Sequence, residues 1–194
     1  CPGELPVPEG DEIVDELNAQ ARLAELRVGS KDAHPDNAVW LTDDAANIGA
    51  PLTGHPNAPE QWVAHAQVGR EGFELLPGLP AVTQYDLFVY KGVERDLHPY
   101  GACYHDIAET VTTGLIETLR ARGITTAIVG GLATDFCVKA TVLQLRRAGI
   151  EVVLNRAATR GITPEGTQAA IEAMAHAGAR IATHAGAIRP VETA

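Results

Sequence analysis

Gly130-Gly131-Leu132-Ala133-Thr134-Asp135-Phe136-Cys137 runs from an apolar stretch through a turn into a helical pattern, which sets a cysteine at the head of a helix. Free backbone N–H groups and the helix dipole favour an anion there, so the position predicts a lowered thiol pKa and more of the nucleophilic thiolate. The same amides are placed to hold an oxyanion. A cysteine at that point equally well packs as a small apolar residue, and position alone leaves both readings open. The glycine pair is not a GxGxxG, so a dinucleotide site is not indicated. A second chemistry is offered by Lys31-Asp32-Ala33-His34: in extended chain Asp32 and His34 point to one side and reach one ion. His65, in Trp62-Val63-Ala64-His65, supplies a third donor. One carboxylate and two imidazoles suit a divalent metal, Zn²⁺ first, with Fe²⁺ or Mn²⁺ as alternatives, and leave positions open for water or substrate. A solvated loop is the competing reading of the same spacing. His55, His98 and His105 show no comparable spacing and read as surface or packing residues.

The elements that must position these residues follow from periodicity. Ile13, Val14, Leu17, Ala21 and Ala24 recur at helical spacing and predict a helix ending near Glu25, followed by a strand from Leu26 to Ser30. From Lys31 to about Tyr85 the pattern disappears and Pro and Gly recur, which marks a long functional segment. Leu87-Phe88-Val89-Tyr90 predicts a strand, and Ile107, Val111, Leu115 and Leu119 predict a helix stopping near Gly123. Strands at 127–129, 152–154 and 179–182 then alternate with helices at about 135–148 and 164–177, the latter capped by Thr163 and opened by Pro164. Such alternation implies a three-layer α/β/α fold with a mainly parallel sheet, and ligands of such sheets gather at the carboxyl ends of the strands. Both candidate sites fall there.

The chain of 194 residues, 45% of them hydrophobic, fits one domain over 1–194. A net charge of −10 repels phosphate backbones and anionic lipid, so neither nucleic acid nor a membrane is an expected partner. No apolar run approaches the roughly 18 to 20 residues of a membrane span. Cysteines at 1, 103 and 137 form no CxxC pair and leave an odd thiol, which predicts a reducing, cytoplasmic setting.

Together these segments resemble the nicotinamidases of the isochorismatase-like cysteine hydrolase superfamily along essentially the whole chain. Asp32-Ala33-His34-Pro35 resembles that family's metal-binding Asp-x-His, and Trp62-Val63-Ala64-His65 its Trp-x-x-His, in which the tryptophan flanks the substrate ring. Tyr90-Lys91-Gly92 is similar to the segment carrying the catalytic lysine, and Tyr100, nine residues beyond Lys91, matches a tyrosine of the pocket. Gly131 to Val138 resembles the nucleophile loop, whose non-proline cis peptide is expected between Leu132 and Ala133. The resemblance implies Cys137 as nucleophile, the N–H groups of Ala133 and Cys137 as oxyanion donors, and Lys91 as the cation beside the thiol. It further implies Trp62, Tyr100, Leu132 and Ala133 around a small aromatic amide, metal on Asp32, His34 and His65, and assembly as a homo-oligomer. The expected reaction converts nicotinamide to nicotinate and ammonia through a thioester, in NAD salvage.

Two departures stand out. Family members begin with an apolar strand ending in Asp-x-Gln-x-Asp-Phe, and this sequence starts at Cys1, just after that phenylalanine. The first strand of the sheet and the aspartate that exchanges protons with the nucleophile are therefore expected upstream of it, and the chain as written is expected to be impaired. No histidine follows shortly after Asn37, where some relatives place a further ligand. The alternatives are an isochorismatase-type or carbamoyl-amide hydrolase on the same scaffold, which typically lacks the metal set, and a binding protein that kept the fold without the base.

Overall fold

The computed structural model describes residues 4–189; Cys1, one of the three expected free thiols, lies outside them. Five strands and four helices alternate: α1 (Val14–Ala21), β1 (Val28–Asp32), β2 (Leu87–Lys91), α2 (Leu115–Ala121), β3 (Thr126–Leu132), α3 (Lys139–Arg147), β4 (Glu151–Arg160), α4 (Pro164–His176) and β5 (Arg180–Ala182). All strand pairing is parallel, divided over two sheets, β1-β2 and β3-β4-β5. Neither β1 nor β3 has a second strand partner among the described residues, and a cavity of about 1590 Å³ runs along both. That explains why β3, apolar enough for a sheet interior, has every residue only half buried.

Side chains on β4 alternate between two layers, as a strand requires. Val152 and Leu154 enter a core with Leu115 and Leu119 of α2, Val142 and Leu145 of α3 and Met174 of α4, whereas Val153 faces the cavity side with Leu17 of α1. Helices therefore cover both faces, the expected α/β/α layering. Thr163 caps α4 by accepting from the Gly166 N–H at 3.0 Å, with Pro164 in the first turn.

Several boundaries differ from those read in the sequence, each for a local reason. The first helix stops at Ala21, after a 3-10 turn over Gly10–Ile13, and β1 sits two residues later than expected, which carries Asp32 to the strand's end. The helix expected from Ile107 begins only at Leu115. Asp106 prevents it: its carboxylate accepts from the backbone N–H groups of Thr110 and Val111 and from the Thr110 hydroxyl, a local alternative to helical hydrogen bonding. β4 runs on to Arg160 through a polar stretch, re-pairing Thr159 and Arg160 with Gly131 and Leu132 after an irregularity in the register.

The long segment after β1 is ordered by bridges rather than by helices. His34 pairs with Gln67 and Leu41 with Trp62, and Trp40, fully buried, donates its indole N–H to the Leu97 carbonyl at 3.2 Å. A second apolar cluster forms there, Ala38, Trp40, Ala58 and Trp62, with Tyr100 and Phe136 packed on it.

Candidate active site and metal centre

Parallel pairing of β1 with β2 puts Asp32 directly opposite Lys91. The Lys91 ammonium, buried at 3% exposure, donates to the Asp32 carboxylate and to the Pro99 carbonyl at 3.0 Å, and lies 3.6 Å from Cys137 Sγ. Asp32, Lys91 and Cys137 thus form a continuous chain. Burial would strip the charge from Lys91, but Asp32 and then Cys137 more than compensate, and its pKa is raised. Asp32 is pushed up by burial and pulled down further by Lys91 and the neighbouring imidazoles, to about 2. It is a carboxylate at any ordinary pH.

Cys137 occupies a π-helical turn, Thr134–Val138, that joins β3 to α3. The peptide bond between Leu132 and Ala133 is cis, where the sequence placed it. The turn is fixed from below: Thr134 shares a 2.7 Å hydrogen bond with Thr159, whose hydroxyl also reaches the Gly131 carbonyl, and the Asp135 carboxylate accepts from the N–H groups of Ile162 and Thr163 at 3.1 and 3.2 Å. Only glycine fits beside that carboxylate, since a Cβ on Gly166 would lie 2.9 Å from Asp135 Oδ2. The lowered thiol pKa expected from the helix head is corrected here. Burial pushes Cys137 up; Lys91 draws it back, Asp32 opposes, and hydrogen bonds from Lys91 and the Ala133 N–H offset the rise only in part. The resting sulfur is a thiol.

Opposite the sulfur stand three imidazoles. His34 Nδ1 is 3.0 Å from the Gly92 carbonyl and His65 Nδ1 2.7 Å from the Val63 carbonyl, so in each ring Nδ1 carries the proton and Nε2 keeps a lone pair. His98 joins them, its ring stacked with Trp62 at 5.6 Å and 7° and with His34 at 5.0 Å and 16°. Of the sequence reading of His98 as a surface or packing residue, the packing half holds: it is 6% exposed among aromatic rings. Its only sequence signal is its place just ahead of Pro99-Tyr100, in the segment that leaves β2. One nitrogen from each ring lies within 4.8 Å of the others. His34 Nε2 and both nitrogens of His98 are buried with no hydrogen-bond partner, a cost of about 1–3 kcal/mol per group that a cation would remove. Burial pushes His34 down to about 4 and His98 down to about 2, so both imidazoles are neutral and free to donate lone pairs. The donor set fits a divalent metal. Asp32, expected among its ligands, stands 3.8 Å from His34 Nε2 with its carboxylate engaged by Lys91.

Between sulfur and imidazoles the cavity wall is aromatic. Trp62 meets Phe136 edge to face at 5.4 Å, and Tyr100 lies 5.7 Å from Phe136, its hydroxyl donating to Glu60 at 2.7 Å. Burial and that carboxylate raise the Tyr100 pKa, so it stays protonated. Trp62, His65, His98, Tyr100, Leu132, Ala133, Phe136 and Cys137 all line the cavity. Phe136 and Glu60 had no assigned part in the sequence; beside Cys137 in the chain, Phe136 was legible only as an apolar residue.

The isochorismatase domain family matches residues 9–186. A nicotinamidase of Escherichia coli is 33% identical over 199 aligned residues, covering 93% of this chain and 87% of that protein. Among solved structures, an Acinetobacter baumanii nicotinamidase/pyrazinamidase superposes with a TM-score of 0.81 at 29% identity, covering 92% of this chain and 87% of that one. A Pyrococcus horikoshii pyrazinamidase in complex with zinc superposes at 0.74 with 28% identity, over 94% and 91% of the two chains. PnC1 from L. infantum, in complex with nicotinate, superposes at 0.77 with 27% identity, over 93% and 83%.

Proposed function

The chain belongs to the isochorismatase domain family, and on that premise we propose that it is a nicotinamidase-type hydrolase, cleaving the amide C–N bond of nicotinamide to give nicotinate and ammonia in NAD salvage. One observation carries the reading: Cys137 Sγ lies 3.6 Å from the buried Lys91 ammonium, at the wall of an aromatic-lined cavity that His65 and His98 of the imidazole cluster also line. The E. coli relative bears the name of this activity, and the L. infantum structure holds its product.

The substrate ring packs in the corner of Trp62 and Phe136, beside Tyr100, with its carboxamide toward Cys137. Sulfur attacks the carboxamide carbon, and the developing oxyanion is received by the N–H groups of Ala133 and Cys137. The C–N bond breaks, ammonia leaves with the proton that came from the thiol, and a thioester remains. Water then cleaves the thioester, releasing nicotinate and returning a proton to sulfur. Lys91 stabilises negative charge on sulfur as the thiol loses its proton and again as the thioester breaks. Proton movement calls for a carboxylate base. Asp32 reaches the sulfur only through Lys91.

A divalent metal, with zinc the first candidate after the P. horikoshii complex, would be held by Asp32, His34 and His65 and would supply a Lewis acid toward the substrate ring. Free Cys103 and Cys137 accord with a cytoplasmic setting, and no helix among the described residues is long and apolar enough to cross a membrane. Homo-oligomer assembly stays part of this proposal.

The test is ammonia release from nicotinamide by the purified protein. We expect turnover that falls at least ~10³-fold in Cys137→Ala and is lost on metal chelation and regained with zinc. Full activity in metal-free protein would instead favour an isochorismatase-type or carbamoyl-amide hydrolase, and no turnover of any amide a binding protein.

A further inference from the structure

Resting on the hydrolase reading above, we propose that Thr141 is a positioning residue for the reaction, whose hydroxyl ties the backbone of Cys137 to the segment carrying Tyr100 and so fixes the sulfur against the aromatic wall. Cys137, Thr141 and Gln144 recur at helical spacing, so the nucleophile turn and α3 present all three on one face. Residues 101–103, directly beyond Tyr100, lie on that face. Thr141 Oγ1 donates to the Cys137 carbonyl at 2.7 Å and accepts from the Ala102 N–H at 3.0 Å. One turn further on, Gln144 accepts from the Cys103 N–H at 3.1 Å. Gly101 rests so closely on the same glutamine that a Cβ there would overlap its side-chain amide.

A threonine that only bonds the carbonyl four residues back satisfies its own hydroxyl and does nothing beyond its helix. Here the same oxygen accepts a second bond from a residue far away in the chain. Ala102 is buried, and without Thr141 its N–H loses its partner. The Ala102 carbonyl accepts in turn from the Thr113 hydroxyl at 2.7 Å, so both backbone groups of this residue are held by threonines. Tyr100, two residues earlier, anchors its own hydroxyl on Glu60 and sets its ring 5.7 Å from Phe136. The wall is therefore fixed at two points, Glu60 and Thr141, and only the second touches the residue that attacks. All of these bonds join residues between 60 and 144. Attack requires the carboxamide carbon to be held close to the sulfur, and a misplacement of about 1 Å costs on the order of 100-fold in rate. A hydroxyl that spans nucleophile and wall is placed to set that distance.

The test is steady-state hydrolysis of nicotinamide by wild type, by Thr141→Val, which keeps the shape and removes the hydroxyl, and by Thr141→Ser, which keeps the hydroxyl. At equal concentrations of folded protein, we expect kcat to fall about 10- to 100-fold in the valine variant with KM altered less than about threefold, and the serine variant to stay within about threefold of wild type. The pH midpoint of Cys137 alkylation should be the same in all three, because neither Lys91 nor the Ala133 N–H, which bond the sulfur, is changed. In a Tyr100→Ala background the valine change should cost little more, the wall that it holds being gone. Wild-type kcat in Thr141→Val would overturn the proposal, as would a serine variant no better than the valine one, or full additivity with Tyr100→Ala. A shifted alkylation midpoint would overturn it too, by assigning the loss to the reactivity of the sulfur and not to its placement. Where Thr141→Val does not fold, Thr141→Ala, free of crowding at the methyl position, is read by the same criteria. Wild-type protein that releases no ammonia would overturn the hydrolase reading and this proposal together, whereas turnover that ignores residue 141 overturns this proposal alone.

Discussion

At the scale of single residues, reactivity at Cys137 is set by opposition between burial, which disfavours the thiolate, and the Lys91 ammonium, which favours it. Removing the cation leaves burial unopposed and raises the thiol pKa further, so the thiolate fraction at fixed pH falls. In Lys91→Met the pH midpoint of iodoacetamide alkylation at Cys137 should move upward, and the rate at pH 8 should drop about tenfold for each unit of that shift. An unchanged pH profile would remove Lys91 from the mechanism. Cys103 provides an internal contrast: it is fully buried, and burial, with Glu109 and Glu117 adding to it, pushes its thiol up to about 12. Peptide mass spectrometry after brief alkylation should therefore find Cys137 labelled and Cys103 protected. The sequence disclosed the cysteine and two of the three histidines through local pattern, and the lysine only through the family resemblance. His98 was hidden because its relation to the others exists only in space, across β2 and two loops, and no spacing rule encodes it.

At the scale of elements, the nucleophile turn is held by partners far away in the chain. Asp135 clamps it to the start of α4 through two backbone N–H groups, and Asp135→Ala should cost about 1.5–3 kcal/mol in urea unfolding for those charge-assisted hydrogen bonds. Activity should fall beyond what that loss of folded protein explains. Gly130 sits at the register irregularity between β3 and β4, where a Cβ would lie 2.8 Å from the Ala158 carbonyl oxygen. The backbone cannot yield cheaply there, so Gly130→Ala should destabilise by about 1–3 kcal/mol in the same assay. Elements with uniform patterns were legible: apolar runs for β2 and β3, helical spacing with Thr163-Pro164 for α4. Where side chains compete with backbone pairing the pattern misleads, as at Asp106, whose hydrogen bonds hold Thr110 and Val111 out of the helix that their spacing suggests. The polar end of β4 was missed for the converse reason, since its pairing with Gly131 and Leu132 comes from the sheet and not from its own composition.

At the scale of the whole molecule, a parallel α/β scaffold brings β1, β2 and β3 to one cavity, and the ends of those strands carry Asp32, Lys91 and the Cys137 turn. The imidazole cluster ties the long irregular segment to the end of β2, so metal should act as a staple as well as a cofactor. Zinc at a hundredfold excess over its dissociation constant stabilises a folded protein by about 2.7 kcal/mol, which for a chain of this size raises the Tm by roughly 5–10 °C. Calorimetry with zinc and with chelator should show that difference; equal Tm values would mean that the cluster holds no ion in solution. The central claim is covalent chemistry at one sulfur, and rapid acid quench of the protein with nicotinamide, followed by mass spectrometry, tests it most directly. The account predicts one nicotinoyl group on the peptide containing Cys137, formed before steady state and absent from Cys137→Ala. Nicotinate produced at the wild-type rate by Cys137→Ala, with no adduct in either protein, would contradict it.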